Sequence, residues 1–158
     1  MIVAFDPGGT TGWAYWHEET DEWGQGQIGP DEHHEELWDW LDSYAPDIVI
    51  YEAFNYQIRR DEKGTAVDMP GVELISREYI GIIRLWSQLN HCLDATKQQP
   101  SIITLKWLLD DRLKEMTYPR NNDQCLYRTN APHANDATRH LLYYRAMVLK
   151  DKSIFKRS

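Results

Sequence analysis

Two short, uninterrupted apolar runs in this chain each stop at a carboxylate. Met1-Ile2-Val3-Ala4-Phe5 meets Asp6, and Ile48-Val49-Ile50-Tyr51 meets Glu52. Neither run alternates in polarity, so each predicts a strand buried on both faces, as in a sheet with helices packed on either side. Ligands of open α/β sheets gather outside the carboxyl ends of strands, which makes Asp6 and Glu52 the first candidates for chemistry.

The rest of the chain fits around these runs. Pro7-Gly8-Gly9-Thr10-Thr11-Gly12 is dense in turn formers, Trp13-Ala14-Tyr15-Trp16 resumes an aromatic strand, and Trp23 to Ile28 reads as a third strand weakened by Gly24 and Gly26. The opening is therefore an antiparallel meander. Pro30-Asp31 predicts a helix start, with Asp31, Glu32, Glu35 and Glu36 where the macrodipole favours negative charge. Leu37, Trp40, Leu41 and Tyr44 give it an apolar stripe, and Ala45-Pro46 stops it. After Glu52, residues 55–71 form a long connection of little periodicity that carries Arg59, Arg60 and Lys63. Connections of that length are functional or mobile. Val72 to Asn90 predicts a helix with Val72, Ile75, Tyr79, Ile82, Ile83 and Trp86 on one face, and Leu93 to Gln98 a short fifth strand. Pro100-Ser101 reads as a helix start leading through Ile102 to Leu109, with Lys106 on it. Thr117 to Ala131 is polar and irregular, and Pro132 to about Leu149 closes the chain as a helix with proline in its first turn. Strands and helices in this order predict an α/β domain on a mixed sheet.

At 158 residues the chain has the size of one domain, read as 1–150 with a frayed basic tail over 151–158. A hydrophobic fraction of 42% with seven Trp and nine Tyr supports a packed core and excludes disorder. No apolar run reaches the roughly 18 residues of a membrane span, and Asp6 interrupts the first run too early for a signal peptide, so a cytoplasmic, intracellular chain is expected. Cys92 and Cys125 are too few for a disulfide scaffold and lack metal-ligand spacing. The net charge of −8 argues against a nucleic-acid partner until it is divided along the chain. Residues 1–78 hold 18 acidic and 4 basic side chains, whereas residues 79–158 hold 7 acidic and 13 basic. That asymmetry is compatible with an anion-binding face on an acidic body, and equally with helix surfaces that simply differ in charge.

A third acid joins the first two. Asp136 lies in the first turns of the closing helix, with His133 three residues earlier on the same face. If strands one and four are neighbours, Asp6 and Glu52 lie side by side, and the closing helix need only lean over that edge to add Asp136 and His133. Singly, each has an ordinary explanation as a turn former, a solvated strand end or a complement to the helix dipole. Together they form an oxygen-rich cluster suited to Mg²⁺ or Mn²⁺.

Phe5-Asp6-Pro7-Gly8-Gly9-Thr10-Thr11-Gly12-Trp13-Ala14, then Ile48-Val49-Ile50-Tyr51-Glu52, then His133-Ala134-Asn135-Asp136-Ala137 resembles, as an ordered set, the RuvC-type Holliday-junction resolvases of the ribonuclease H-like superfamily. The resemblance spans nearly the whole chain. It implies a five-stranded mixed sheet flanked by helices, and a homodimer that cuts two opposed strands of a four-way DNA junction. It makes Asp6, Glu52 and Asp136 metal ligands, with two Mg²⁺ (or Mn²⁺) ions per site. His133 falls where the family commonly has Asp, though His also occurs there. Lys106, after Pro100-Ser101, looks like the family's basic residue beyond a Pro-Ser or Pro-Thr pair, at a longer spacing, and Lys114 is a second candidate. Phe54 is the nearest match to an aromatic that stacks at the junction, at a different offset. The divergent spacings of so small and acidic a chain suggest a phage-type member.

Phosphodiester hydrolysis needs an activated water and neutralisation of charge on the phosphoryl and leaving oxygens, which two divalent ions supply. Binding of DNA would rest on Arg59, Arg60, Lys63, Lys106, Arg112, Lys114, Arg120 and Arg128, each phosphate contact adding a salt-dependent increment. Trp13, Trp16, Trp38, Trp40 and Trp86 read as core or interface instead. Three other readings compete. Asp6-Pro7-Gly8-Gly9-Thr10 also resembles the phosphate loop of actin-like sugar kinases, but those need two such lobes. A nuclease of the same fold could act on flaps, branches or RNA–DNA hybrids. A non-catalytic scaffold would be expected to have damaged carboxylates, and all three are intact.

Overall fold

A computed structural model describes residues 1–29, 34–54, 75–116 and 125–155. Its centre is one five-stranded sheet in the order β3-β2-β1-β4-β5. β1 (Ile2–Asp6), β2 (Thr11–His17) and β3 (Glu22–Ile28) form the expected antiparallel meander. β4 (Ile48–Glu52) runs parallel to β1 on its other side, and β5 (Asp94–Gln98) runs parallel to β4 at the edge.

The uninterrupted apolarity of β1 follows from what covers it. Val3 and Phe5 enter a core with Val49 and Tyr51, closed by Leu37 and Leu41 of α1 (His34–Tyr44) and by Tyr79, Ile83 and Trp86 of α2 (Ile75–Leu89). Ile2 and Ala4 face the other way, into a core with Ala14, Ile50 and the Ala137, Leu141 and Leu142 side of α4 (Pro132–Met147). Each fully buried leucine among these stabilises the fold by about 1.5–3 kcal/mol. Ala4 and Ala14 are small, which lets α4 lie close to the sheet.

Gly24 and Gly26 have a more specific place than the sequence suggests. They stand opposite Tyr15 and Trp13 across the β2–β3 pair, and a Cβ on either would come within 2.4 or 2.5 Å of those rings. The glycines make room for aromatic side chains lying across β3.

Two expectations need correction. The helix read from Pro100 to Leu109 is instead two 3₁₀ turns, Pro100–Thr104 and Lys106–Leu108, followed by a helix not foreseen, α3 (Asp110–Glu115). Leu105 and Leu109 are extended (ψ 130° and 163°) and break the run. The β-branched Ile102-Ile103-Thr104 favours that outcome, and Thr104 Oγ1 donates to the Ser101 carbonyl at 2.7 Å instead of leaving it to the helix ladder. The tail does not fray over residues 151–155. Lys152–Phe155 forms a 3₁₀ turn with Ile154 buried, its carbonyl accepts from Arg112 at 3.2 Å, and Phe155 lies 5.2 Å from the Trp107 ring. The expected starts of the first helix at Pro30 and of the second at Val72 lie outside the described residues.

Candidate active site

Strand parity sets the site. Asp6 continues the Ile2 and Ala4 face of β1, and Glu52 the Ile48 and Ile50 face of β4, so both acids project towards α4. The parallel register, with Phe5 beside Tyr51, puts the two strand ends next to each other. From above, α4 presents His133, Asp136 and His140, spaced i, i+3, i+7 and hence along one face.

Gly12 lets that helix come down. It sits opposite Asp6 in β2, and a Cβ there would lie 1.9 Å from the His133 carbonyl oxygen. The N-terminus of α4 has no side-chain cap of its own at Ala131; instead Gln27 of β3 reaches across and accepts the His133 N–H at 3.1 Å. Gln25 adds two further ties, donating to the Leu126 carbonyl at 2.7 Å and accepting from Thr138 at 2.9 Å.

Each acid then meets a basic side chain. His133 Nδ1 is 2.7 Å from Asp6 Oδ2. His140 Nε2 is 2.8 Å from Glu52 Oε2, and its Nδ1 is 2.8 Å from Gln98 Oε1. Arg139 binds Asp136 and Asp110 and donates its Nε–H to the Leu108 carbonyl at 2.9 Å. The carboxylates also feel one another. Burial pushes the Asp6 carboxyl up to about 6, with the charges of Glu52 and Asp136 adding to the rise and His133 opposing it. Burial likewise raises Asp136, with Arg139 pulling down and Glu52 pushing up. Three acids distant in sequence therefore share one electrostatic pocket.

This donor set suits a hard divalent cation in kind: crowded, partly buried carboxylates that gain from any positive charge placed among them, with an imidazole beside them. Among the described residues, however, no three His, Cys, Asp or Glu side chains close on a single point as they stand. A cation held by these acids would compete with Arg139 for Asp136 and with His133 for Asp6.

The remaining residues singled out from the sequence scatter. Lys106 is exposed on the second 3₁₀ turn. Lys114 pairs with Asp111 at 3.5 Å and lies over the Tyr127 ring. Arg112 is engaged with Glu115 and the Ile154 carbonyl, which makes it an anchor for the tail. The backbone of Arg128 is tied at both N–H and C=O to Asn135 of α4. Phe54 lines a groove of about 420 Å³ with Tyr51, Arg77, Gly81, Arg84 and Lys97. Arg59, Arg60, Lys63 and Arg120 lie outside the described residues. Sequence reasoning missed Arg139, His140 and the cations of this groove. The helical spacing from His133 through Asp136 to His140 was the available signal for His140, and the seven-residue interval between Arg77 and Arg84 for the groove.

No protein-family model matches the sequence, and no curated protein is similar to it. Solved structures are. RuvC of T. thermophilus, in complex with a Holliday junction substrate, superposes with a TM-score of 0.57 at 12% identity, covering 92% of this chain and 95% of that one. The fold is RuvC-like. A further Thermus thermophilus RuvC structure agrees, with a TM-score of 0.51 at 11% identity over 91% of this chain and 95% of that one. Within this fold Asp6, Glu52 and Asp136 stand at the first strand, the fourth strand and the last helix, as the sequence resemblance implies.

Proposed function

We propose that this protein is a metal-dependent endonuclease that hydrolyses phosphodiester bonds in four-way DNA junctions. The observation that carries the proposal is that, in a RuvC-like fold, Asp6 and Glu52 end neighbouring parallel strands beneath the face of α4 that bears His133, Asp136 and His140, with His133 on Asp6 and His140 on Glu52. Asp6, Glu52, Asp136 and His133 would together hold two Mg²⁺ or Mn²⁺ ions. When bound, the ions supply an activated water and neutralise charge on the transferring phosphoryl group. The chain itself positions the acids, keeps Asp6 largely shielded from bulk water and leaves the rim open, with His133 exposed at 42% against 13% for Asp6.

DNA would enter over cations drawn mostly from the basic second half of the chain. Lys106 is exposed, and Arg77, Arg84 and Lys97 line one groove with Phe54, two residues beyond Glu52. Cations beside an aromatic face suit a phosphate backbone with an unstacked base. Replacing Arg84 and Lys97 together by Glu is expected to weaken junction binding at least roughly tenfold and to flatten its salt dependence by about two phosphate contacts. Fluorescence anisotropy at several salt concentrations measures both. An unchanged salt slope would remove the groove from the DNA path.

A homodimer would present two such sites to opposed strands. Leu85 and Leu89, four residues apart on one face of α2, are exposed large apolar residues, which supports a covered surface there. The deciding experiment is a substrate panel of four-way junction, flap, fork and RNA–DNA hybrid with each strand labelled in turn. Paired cuts in opposed strands of the junction, dependent on Mg²⁺ or Mn²⁺ and lost in chelator, are expected. Faster cutting of flaps or hybrids would reassign the substrate, and no cutting of any substrate would overturn the nuclease.

A further inference from the structure

His140 has no solvent exposure, yet it is a polar side chain on the face of α4 that carries Asp136. Both ring nitrogens are engaged at 2.8 Å, Nε2 with Glu52 Oε2 and Nδ1 with Gln98 Oε1. Gln98 is itself buried and stands beside Glu52 in the β4–β5 register, so His140 bridges two neighbouring strand ends and ties both to the helix. The protonation pattern is constrained. With Glu52 ionised, Nε2 has to carry a hydrogen, because a carboxylate only accepts. Nδ1 then either donates to the Gln98 oxygen, in an imidazolium, or accepts from the Gln98 amide turned by half a rotation, in a neutral ring. In both cases Nε2–H points at Oε2.

From this geometry we infer that His140 is a positioning residue for Glu52: it holds Oε2 by a fixed hydrogen bond and leaves Oε1 as the oxygen that faces a ligand. Gln98 holds the imidazole in turn. The inference rests on the nuclease reading, since it assigns Glu52 to a cation. It adds a residue that neither the three-acid pattern nor His133 requires. A carboxylate fixed in this way needs no rotamer search when the cation arrives, and outer partners of ligating groups typically contribute 10–100-fold to metal affinity.

The test is Mn²⁺ binding to the full chain, by calorimetry and by the electron paramagnetic resonance signal of free Mn²⁺, with circular dichroism to verify folding. His140→Leu fills the buried volume without a donor, and His140→Gln keeps an N–H close to where Nε2 stands. We expect His140→Leu to be folded but to bind Mn²⁺ at least roughly tenfold more weakly, and His140→Gln to recover most of the loss. Gln98→Met should weaken binding in the same direction by less. A purely structural role predicts the reverse ranking, with the apolar variant binding like the natural protein. If both position-140 variants bind Mn²⁺ as the natural protein does, the positioning role is overturned and the nuclease reading stands. If the natural protein binds no Mn²⁺, the nuclease reading fails and this inference with it.

Discussion

Asp6→Asn is expected to bind a four-way junction as tightly as the natural protein and to cut it at least roughly 10²–10³-fold more slowly. Asparagine keeps the shape and can still accept a hydrogen bond from His133, which now holds Asp6 at 2.7 Å, but it cannot bring the negative charge around which two cations would gather. The same substitution makes a second, opposite prediction for stability. In the metal-free protein the Asp6 carboxyl sits at about 6, raised from 3.8 by burial and by the neighbouring acids. A carboxyl raised on folding favours the folded state while it is protonated. Its contribution is therefore complete below about pH 4 and is lost as pH rises through 6, amounting to at most about 3 kcal/mol. Asp136 is shifted in the same direction and adds to the loss. Asp6→Asn should thus melt higher than the natural protein at pH 7–8 in chelator, with the difference vanishing near pH 4. Mg²⁺ or Mn²⁺ should stabilise the natural protein and not the variant. Undiminished cleavage by Asp6→Asn in Mg²⁺ would falsify the site.

Gly12→Ala is expected to be the most damaging single-methyl change in the described part of the chain. The added carbon would stand 1.9 Å from the His133 carbonyl oxygen and 2.7 Å from the Ala134 nitrogen, which are backbone atoms of a helix that cannot step aside alone. Either α4 lifts at its first turn or β2 bends, and overpacking of this severity costs about 3 kcal/mol or more. For a chain of this length that is a fall of roughly 10 °C in Tm. Lifting α4 also carries His133 and Asp136 away from Asp6, so cleavage should fall further than stability does at temperatures where the variant is still folded. The same one-methyl change at Gly81 of α2, where nothing lies within 4 Å of the added carbon, should instead stabilise by about 0.5–1 kcal/mol through helix propensity. Thermal melts of the two variants side by side separate the contact from the chemistry of glycine. Equal melting temperatures would show that α4 is not held where Gly12 places it.

Legibility in the sequence followed burial. β1 and β4 could be read because covering both faces of a strand leaves an unbroken apolar run, and Asp6 and Glu52 because each stops one. The aromatic stripes of α1 and α2 could be read because each helix has one wet face. α4 hides its organisation. Asn135, Thr138, Arg139 and His140 are buried alongside Ala137 and Leu141, so polarity along this helix no longer reports depth, and residues that hold the acids look like ordinary surface. The segment from Pro100 to Glu115 failed for a different reason. Ile102, Leu105, Leu108 and Leu113 recur at spacings that fit one helix as well as two tight turns and a short helix, and nothing local in composition marks Leu105 and Leu109 as extended. The glycines of β3 were read as weakness because the rings that need their space come from the neighbouring strand.

The pairing of every acid with its own base, Asp6 with His133, Glu52 with His140 and Asp136 with Arg139, has a consequence for how the protein is assembled in the cell. Domains whose anionic ligands have no counterion until loading remain unfolded without their metal. On the nuclease reading proposed above, these internal partners would stand in during synthesis, so that the polypeptide could mature first and receive its divalent cation afterwards.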